Sequence, residues 1–194
     1  TFRTERHNAV LDAVLRLART AGLTTSTKQP WSHVPMSAEL RLLKPDAAIM
    51  PGTARRRPQL LDVGITHPCA QTLMPAAAVT PLSAALSMLA DKHTKYRDLA
   101  TVISYEFVGL IMESHGAMVP EFRSLVESLV QTAMRHSQLS LAQAKQLQIY
   151  SFASIAVALH KGNGLLARRM FQVSSVEDVM FSPRAVPFIV AGGH

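Results

Sequence analysis

The chain has 194 residues, of which 20 are Lys or Arg and 13 are Asp or Glu, for a formal charge of +7. That length suits one domain with an appendage and is ample for a real core. A hydrophobic share of 48% excludes a wholly disordered chain, 11 Pro and 9 Gly exclude a collagen-like or low-complexity one, and a single cysteine, Cys69, excludes a disulfide framework or a cysteine-rich zinc site.

No apolar run approaches the roughly 18 residues of a membrane span, and no signal-like segment opens the chain. The expectation is a soluble protein, not secreted and without a membrane partner. The chain begins at Thr1 rather than Met and reads as a piece of something longer.

In chain order, residues 4–21 predict a helix. Val10, Leu11, Val14, Leu15, Leu17 and Ala18 recur at helical spacing, and Gly22 can end it. Residues 23–37, rich in Thr, Ser, Pro and Lys, read as a loop. Two short strands are predicted over 39–43 and 46–50, then the strongest strand over 59–66, stopped by His67-Pro68. A second helix is predicted over 82–100 and a buried strand over 104–113. Helix, three strands, helix, strand is an α/β order. Beyond residue 120 the pattern turns helical over 121–135, 140–160 and 164–171, with Gly162-Asn163-Gly164 read as a break.

Arg supplies 14 of the 20 basic residues. Its guanidinium forks onto phosphate with two hydrogen bonds, where an ammonium is a point charge. An Arg-rich domain with a pI near 10.1 leans toward nucleic acid, although a merely solubilising surface gives the same charge. The densest cluster, Arg55, Arg56 and Arg57, falls on a connection between two predicted strands and is a candidate phosphate contact.

The candidate chemistry begins at Lys44-Pro45-Asp46 and continues in Leu60-Leu61-Asp62-Val63. Alternation along the strand puts Leu61, Val63 and Ile65 on one face and Asp62 and Gly64 on the other. Antiparallel strands joined through the basic turn can bring Asp46 and Asp62 together. Two close carboxylates repel unless a cation neutralises them, and hard carboxylate oxygens suit Mg²⁺. Pro-Asp is also a common turn dipeptide, and a strand Asp can simply pair with a base. On the following helix Leu82, Leu86, Leu89, His93 and Tyr96 form one stripe, read as core. Lys92 flanks that stripe and can fill the space left beside Asp62 by Gly64, whereas Lys95 faces solvent more. Trp31 reads as a packing anchor or a base-stacking residue, and Cys69 as a small buried residue.

Lys-Pro-Asp, a spacer, Leu-Leu-Asp-Val and a later Lys-x-x-Lys-Tyr resemble the PD-(D/E)XK nuclease superfamily. More narrowly they resemble the restriction-like endonuclease domain of site-specific non-LTR retrotransposons, which follows the reverse transcriptase. Arg6-His7-Asn8 is similar to that family's first helix, and residues 157–163 to the C-terminal region of the related proteins. The resemblance implies an α/β restriction-endonuclease-like core over residues 1–118 with a helical C-terminal extension over 119–194. It implies a metal-dependent DNA endonuclease, with RNA as the other nucleic-acid partner, set within a larger parent protein or assembly. A eukaryotic parent of that kind works in the nucleus.

Carried onto this chain, the resemblance makes Asp46 and Asp62 the ligands of Mg²⁺ or Mn²⁺ and Lys92 the residue that positions the attacking water, with Lys95 as substitute. Glu5, or on weaker grounds Glu39, is the candidate third acid from the family pattern. Lys44, His7, Arg55, Arg56 and Arg57 are candidate nucleic-acid contacts. The chain departs from the superfamily at Gly64, where a lysine usually stands two residues after the second acid. That departure sustains a rival expectation: a catalytically silent, domesticated domain that binds nucleic acid or serves as a structural part of an assembly. A second rival is a protein-interaction module built on the helices beyond residue 120.

Overall fold

The computed structural model describes residues 2–51 and 57–173. Helix α1 (Phe2–Thr20) buries Val10, Leu11, Val14, Leu15, Leu17 and Ala18, the apolar set that its spacing marks out. It ends in a Schellman turn. Gly22, at φ 75°, donates to Arg19 O at 2.9 Å and Leu23 donates to Ala18 O at 3.0 Å.

Residues 23–37 are not all loop, because Thr24–Ser26 form strand β1. Three polar residues carry no alternation signal. They become a strand only by pairing antiparallel with β2 (Ala47–Met50), Thr24 opposite Met50. The strand expected over 39–43 is instead a short helix, α2 (Ala38–Leu42), and Ser37 caps it by accepting the Leu40 N–H at 3.4 Å. Glu, Leu and Arg after a serine cap are helix formers without β-branching. Trp31 is buried against Tyr105, so it is a packing anchor.

Strand β3 (Gln59–Thr66) pairs antiparallel with β2, Ala47 opposite Leu61, and parallel with β4 (Glu106–Glu113), Asp62 opposite Gly109. The four-stranded mixed sheet has the order β1-β2-β3-β4. Between β3 and β4 the chain forms a short helix, α3 (Met74–Val79), and the long α4 (Ser83–Val102), which packs on β3 and β4. Tyr96 is buried as the α4 stripe predicts, but Leu86 is exposed, and Ala85 and Leu99 are buried in its stead.

Helix α5 (Pro120–His136) and the 33-residue α6 (Leu141–Val173) complete the described chain. The break expected at Gly162-Asn163-Gly164 is absent, and α6 runs through it. A Cβ on Gly162 would stand 2.9 Å from the Arg6 Cα, so the glycine lets α1 approach closely. Asn163 then ties that crossing to the sheet. Its Oδ1 accepts from Arg6 at 2.6 Å and its Nδ2 donates to Ser114 O at 2.6 Å.

Among the described residues two apolar clusters form. The larger joins Leu61, Val63 and Leu110 of the sheet to Val10 and Val14 of α1, Phe122 and Val126 of α5, and Ile155 and Leu159 of α6. The smaller joins Leu60 and Phe107 to Tyr96 and Leu99 of α4 and to Trp31. The period-two pattern of β3 is therefore real: Leu61 and Val63 go one way, and Leu60 goes the other. The protein is mixed α/β, an open four-stranded sheet with helices. No helix among the described residues is long and apolar enough to cross a membrane.

Candidate active site

Asp46 stands just before β2, after a proline that holds the preceding residue extended. Its N–H donates to Leu61 O at 2.9 Å. Its carboxylate Oδ2 accepts the Val63 N–H at 2.7 Å, so the side chain extends the β2–β3 ladder beyond the strand. The same oxygen lies 2.9 Å from His7 Nε2, delivered by α1.

Asp62 is 4% exposed, on the β3 face turned to α4. Its Oδ2 pairs with the Lys92 ammonium, and its Oδ1 accepts from the Tyr96 hydroxyl at 2.7 Å. That hydroxyl also lies 3.3 Å from Lys44 O. It has one proton, and the nearer, charged acceptor takes it. Lys92 and Tyr96 are four residues apart, hence neighbours on one helix face.

The cluster is one electrostatic unit. The hydrogen bond that the His7 ring donates to Asp46 raises the His7 pKa, burial opposes it, and the negative charges of Asp46 and Asp62 add to the rise. Burial pushes the Tyr96 hydroxyl well above its usual range, and the Asp62 bond and both carboxylate charges push it further. Tyr96 thus stays a donor at any ordinary pH. Both acids act on both groups, which lie on different helices.

Several candidates take places other than those expected. Met88, not a lysine, fills the space beside Gly64: its Sδ stands 2.6 Å from where a Cβ would be, as does Ile111 Cδ1. Lys92, one turn further on, reaches the carboxylate itself. Lys95 is exposed and sits 4.8 Å over the Tyr96 ring, a cation–π contact. Helix α1 brings His7 to Asp46, while Glu5 is exposed at its first turn. Glu39 is exposed at the start of α2, where its own backbone N–H and the Ser37 hydroxyl hold its carboxyl low. The Lys44 side chain is exposed, and only its backbone carbonyl lies near the cluster, 3.3 Å from the Tyr96 hydroxyl. Arg57 is exposed, and Arg55 and Arg56 lie outside the described residues. Cys69 is exposed rather than buried, and His67 bonds Ser114 Oγ at 2.8 Å.

Sequence reasoning placed Tyr96 in the core and missed its hydroxyl. The Lys92–Tyr96 spacing was the available signal. It also missed Glu121, whose Oε1 accepts the Gly109 N–H at 2.6 Å and whose Oε2 lies 2.7 Å from His93 Nε2. That acid satisfies an N–H of β4, the edge strand, next to the Asp62 register position.

Among the described residues no group of three or more His, Cys, Asp and Glu side chains is gathered as a metal site. Mg²⁺ needs only one or two carboxylates and fills its remaining positions with water. Asp46 and Asp62 are hard oxygen donors of the type Mg²⁺ takes, and the chain itself already partners both oxygens of Asp62 and one of Asp46. Comparison with protein-family models, curated proteins and solved structures returns no match for this chain.

Proposed function

We propose that this chain is a metal-dependent endonuclease that hydrolyses DNA phosphodiester bonds, built on a restriction-endonuclease-like core within a larger retroelement-like protein. The observation that carries the reading is a buried Asp62 held between Lys92 and Tyr96, next to an Asp46 held by His7. Two acids and a lysine are the groups that the resembled nuclease superfamily uses for metal-dependent phosphodiester hydrolysis.

Asp46 and Asp62 would hold Mg²⁺ or Mn²⁺, which supplies Lewis acidity and a bound water of lowered pKa. Lys92 lies beside Asp62 and serves to orient the attacking water and offset charge on the phosphate. Tyr96 and His7 are positioning residues, each fixing one carboxylate by a hydrogen bond. Arg55, Arg56, Arg57 and Lys44 supply phosphate contacts, with RNA as the alternative strand.

The test is nicking of supercoiled plasmid with Mg²⁺. Asp62→Asn, folded by its thermal melt, is expected to lose at least about 100-fold, in line with removal of one preorganised electrostatic group. Tyr96→Phe keeps the ring stacked on Phe107 but deletes a bond to a charged acceptor, a loss of about 1.5–3 kcal/mol. It is expected to raise the Mg²⁺ needed for half-maximal nicking at least about tenfold. Nicking unchanged in Asp62→Asn overturns the reading.

A second reading has its own observation. Each carboxylate already has a basic partner from the chain, Lys92 for Asp62 and His7 for Asp46. A catalytically silent domain that binds nucleic acid needs nothing more. It predicts salt-sensitive binding that survives Asp62→Asn, with no Mg²⁺-dependent cleavage by the wild type.

A further inference from the structure

A cleft of about 1030 Å³ opens where β2 ends and β3 and β4 begin, between the C-terminal end of α1 and the length of α5. It is as large as sites that hold small organic ligands. Its floor is apolar, from Ile49, Leu125 and Leu129. Its rim is basic, from Arg57, Arg135 and His136. Among the described residues the lining contains one carboxylate, Glu106, and Gln59 Nε2 donates to it at 3.2 Å. Among the described residues neither Arg57 nor Arg135 forms an ion pair with an acid.

The rim is held in place. Arg135 Nε donates to Gln131 O at 3.2 Å, which anchors the guanidinium at the last turn of α5. The His136 ring packs against Gly22, where a Cβ would stand 2.5 Å from it. The glycine that ends α1 therefore also seats the histidine at the cleft. Guanidinium forks match phosphate oxygens in pairs, and an apolar floor takes a flat, weakly polar body. Phosphate alone would leave the floor empty. A purely apolar ligand would make no use of the two guanidinium groups at the rim, which are exposed and open to a phosphate.

We propose that this cleft is a nucleotide-binding pocket, with Arg57 and Arg135 on the phosphate and the Ile49, Leu125 and Leu129 floor under the base. It is separate from the Asp46–Asp62 cluster and does not depend on chemistry there. The same chemistry is offered by a free mononucleotide or by one nucleotide of a strand.

The experiment uses the full chain and calorimetric titration with AMP, adenosine, inorganic phosphate and a ten-residue single-stranded oligonucleotide. AMP is expected to bind at least tenfold more tightly than adenosine or phosphate. Arg57→Gln and Arg135→Gln, both exposed and folded by their melts, are each expected to weaken AMP at least tenfold. Ser128→Tyr, which fills the cleft from α5, is expected to do the same. Oligonucleotide binding that AMP displaces and that Arg135→Gln weakens identifies a strand nucleotide. AMP binding without effect on the oligonucleotide identifies a free one. Equal affinity for phosphate and AMP, AMP binding unchanged in the two arginine variants, or no AMP binding at millimolar concentration overturns the proposal. A chain that binds AMP but nicks no DNA retains this pocket and loses only the nuclease.

Discussion

His7 lies beside a carboxylate and is partly withdrawn from water, and these act in opposite directions. The Asp46 bond is the larger effect, so the pKa in the folded protein rises above 6.5. The charged form is favoured by folding. Its contribution is fully present below the unfolded value of about 6.5 and is lost as pH climbs through the raised folded value. His7→Gln is therefore expected to lower the melting temperature by about 2–4 °C near pH 6, the effect of about 1 kcal/mol, and by much less at pH 9. A melting difference independent of pH would contradict the pairing. Asp62 and Lys92 were legible from strand alternation and helix spacing, because both signals are local. The same helix spacing sets Tyr96 beside Lys92, yet an aromatic on the apolar stripe reads as core, which hides its hydroxyl bond to Asp62. From the sequence His7 reads as a metal or phosphate contact or as a structural residue, because its partner Asp46 stands on another element.

At the scale of elements, α1, β3 and α5 were legible in nearly their true extent, since each carries a sustained apolar period. The errors came from short or glycine-containing segments. A run of five residues over 39–43 supports either a strand or a helix, and the cap at Ser37 decides it. Gly162 and Gly164 read as a helix stop in sequence, yet one is a contact and the other is not. A Cβ on Gly162 meets the Arg6 backbone, which cannot rotate away, whereas one on Gly164 meets nothing within 4 Å. Gly162→Ala is expected to destabilise the fold by about 1–3 kcal/mol. Gly164→Ala is expected to stabilise it by up to about 1 kcal/mol, the helix preference of alanine over glycine. Chemical denaturation of the two variants checks both signs.

At the scale of the whole molecule, α5 and α6 contribute Phe122, Val126, Leu129, Ile155 and Leu159 to the same buried cluster as α1 and β4. The segment after β4 also covers the sheet edge: Val119 donates to Ile111 O at 3.1 Å and Glu113 to Ala117 O at 2.8 Å. A chain ending at Met118 would expose those faces of α1 and β4 and leave that edge bare. It is expected to lose cooperative unfolding, which a denaturant titration followed by circular dichroism would show. A sharp two-state transition in the shortened chain would refute this.

The amino-acid order by itself determined the α/β character, the main helices and strands, and which face of β3 carries Asp62. Those properties follow from periods of about 3.6 and two residues, written into consecutive positions. Only the tertiary structure decided that Thr24–Ser26 pair as a strand, that α6 passes unbroken over Arg6, and that His7 and Tyr96 each hold a carboxylate. Each of these depends on groups far apart in the chain, and pairing between distant groups leaves no local period to read.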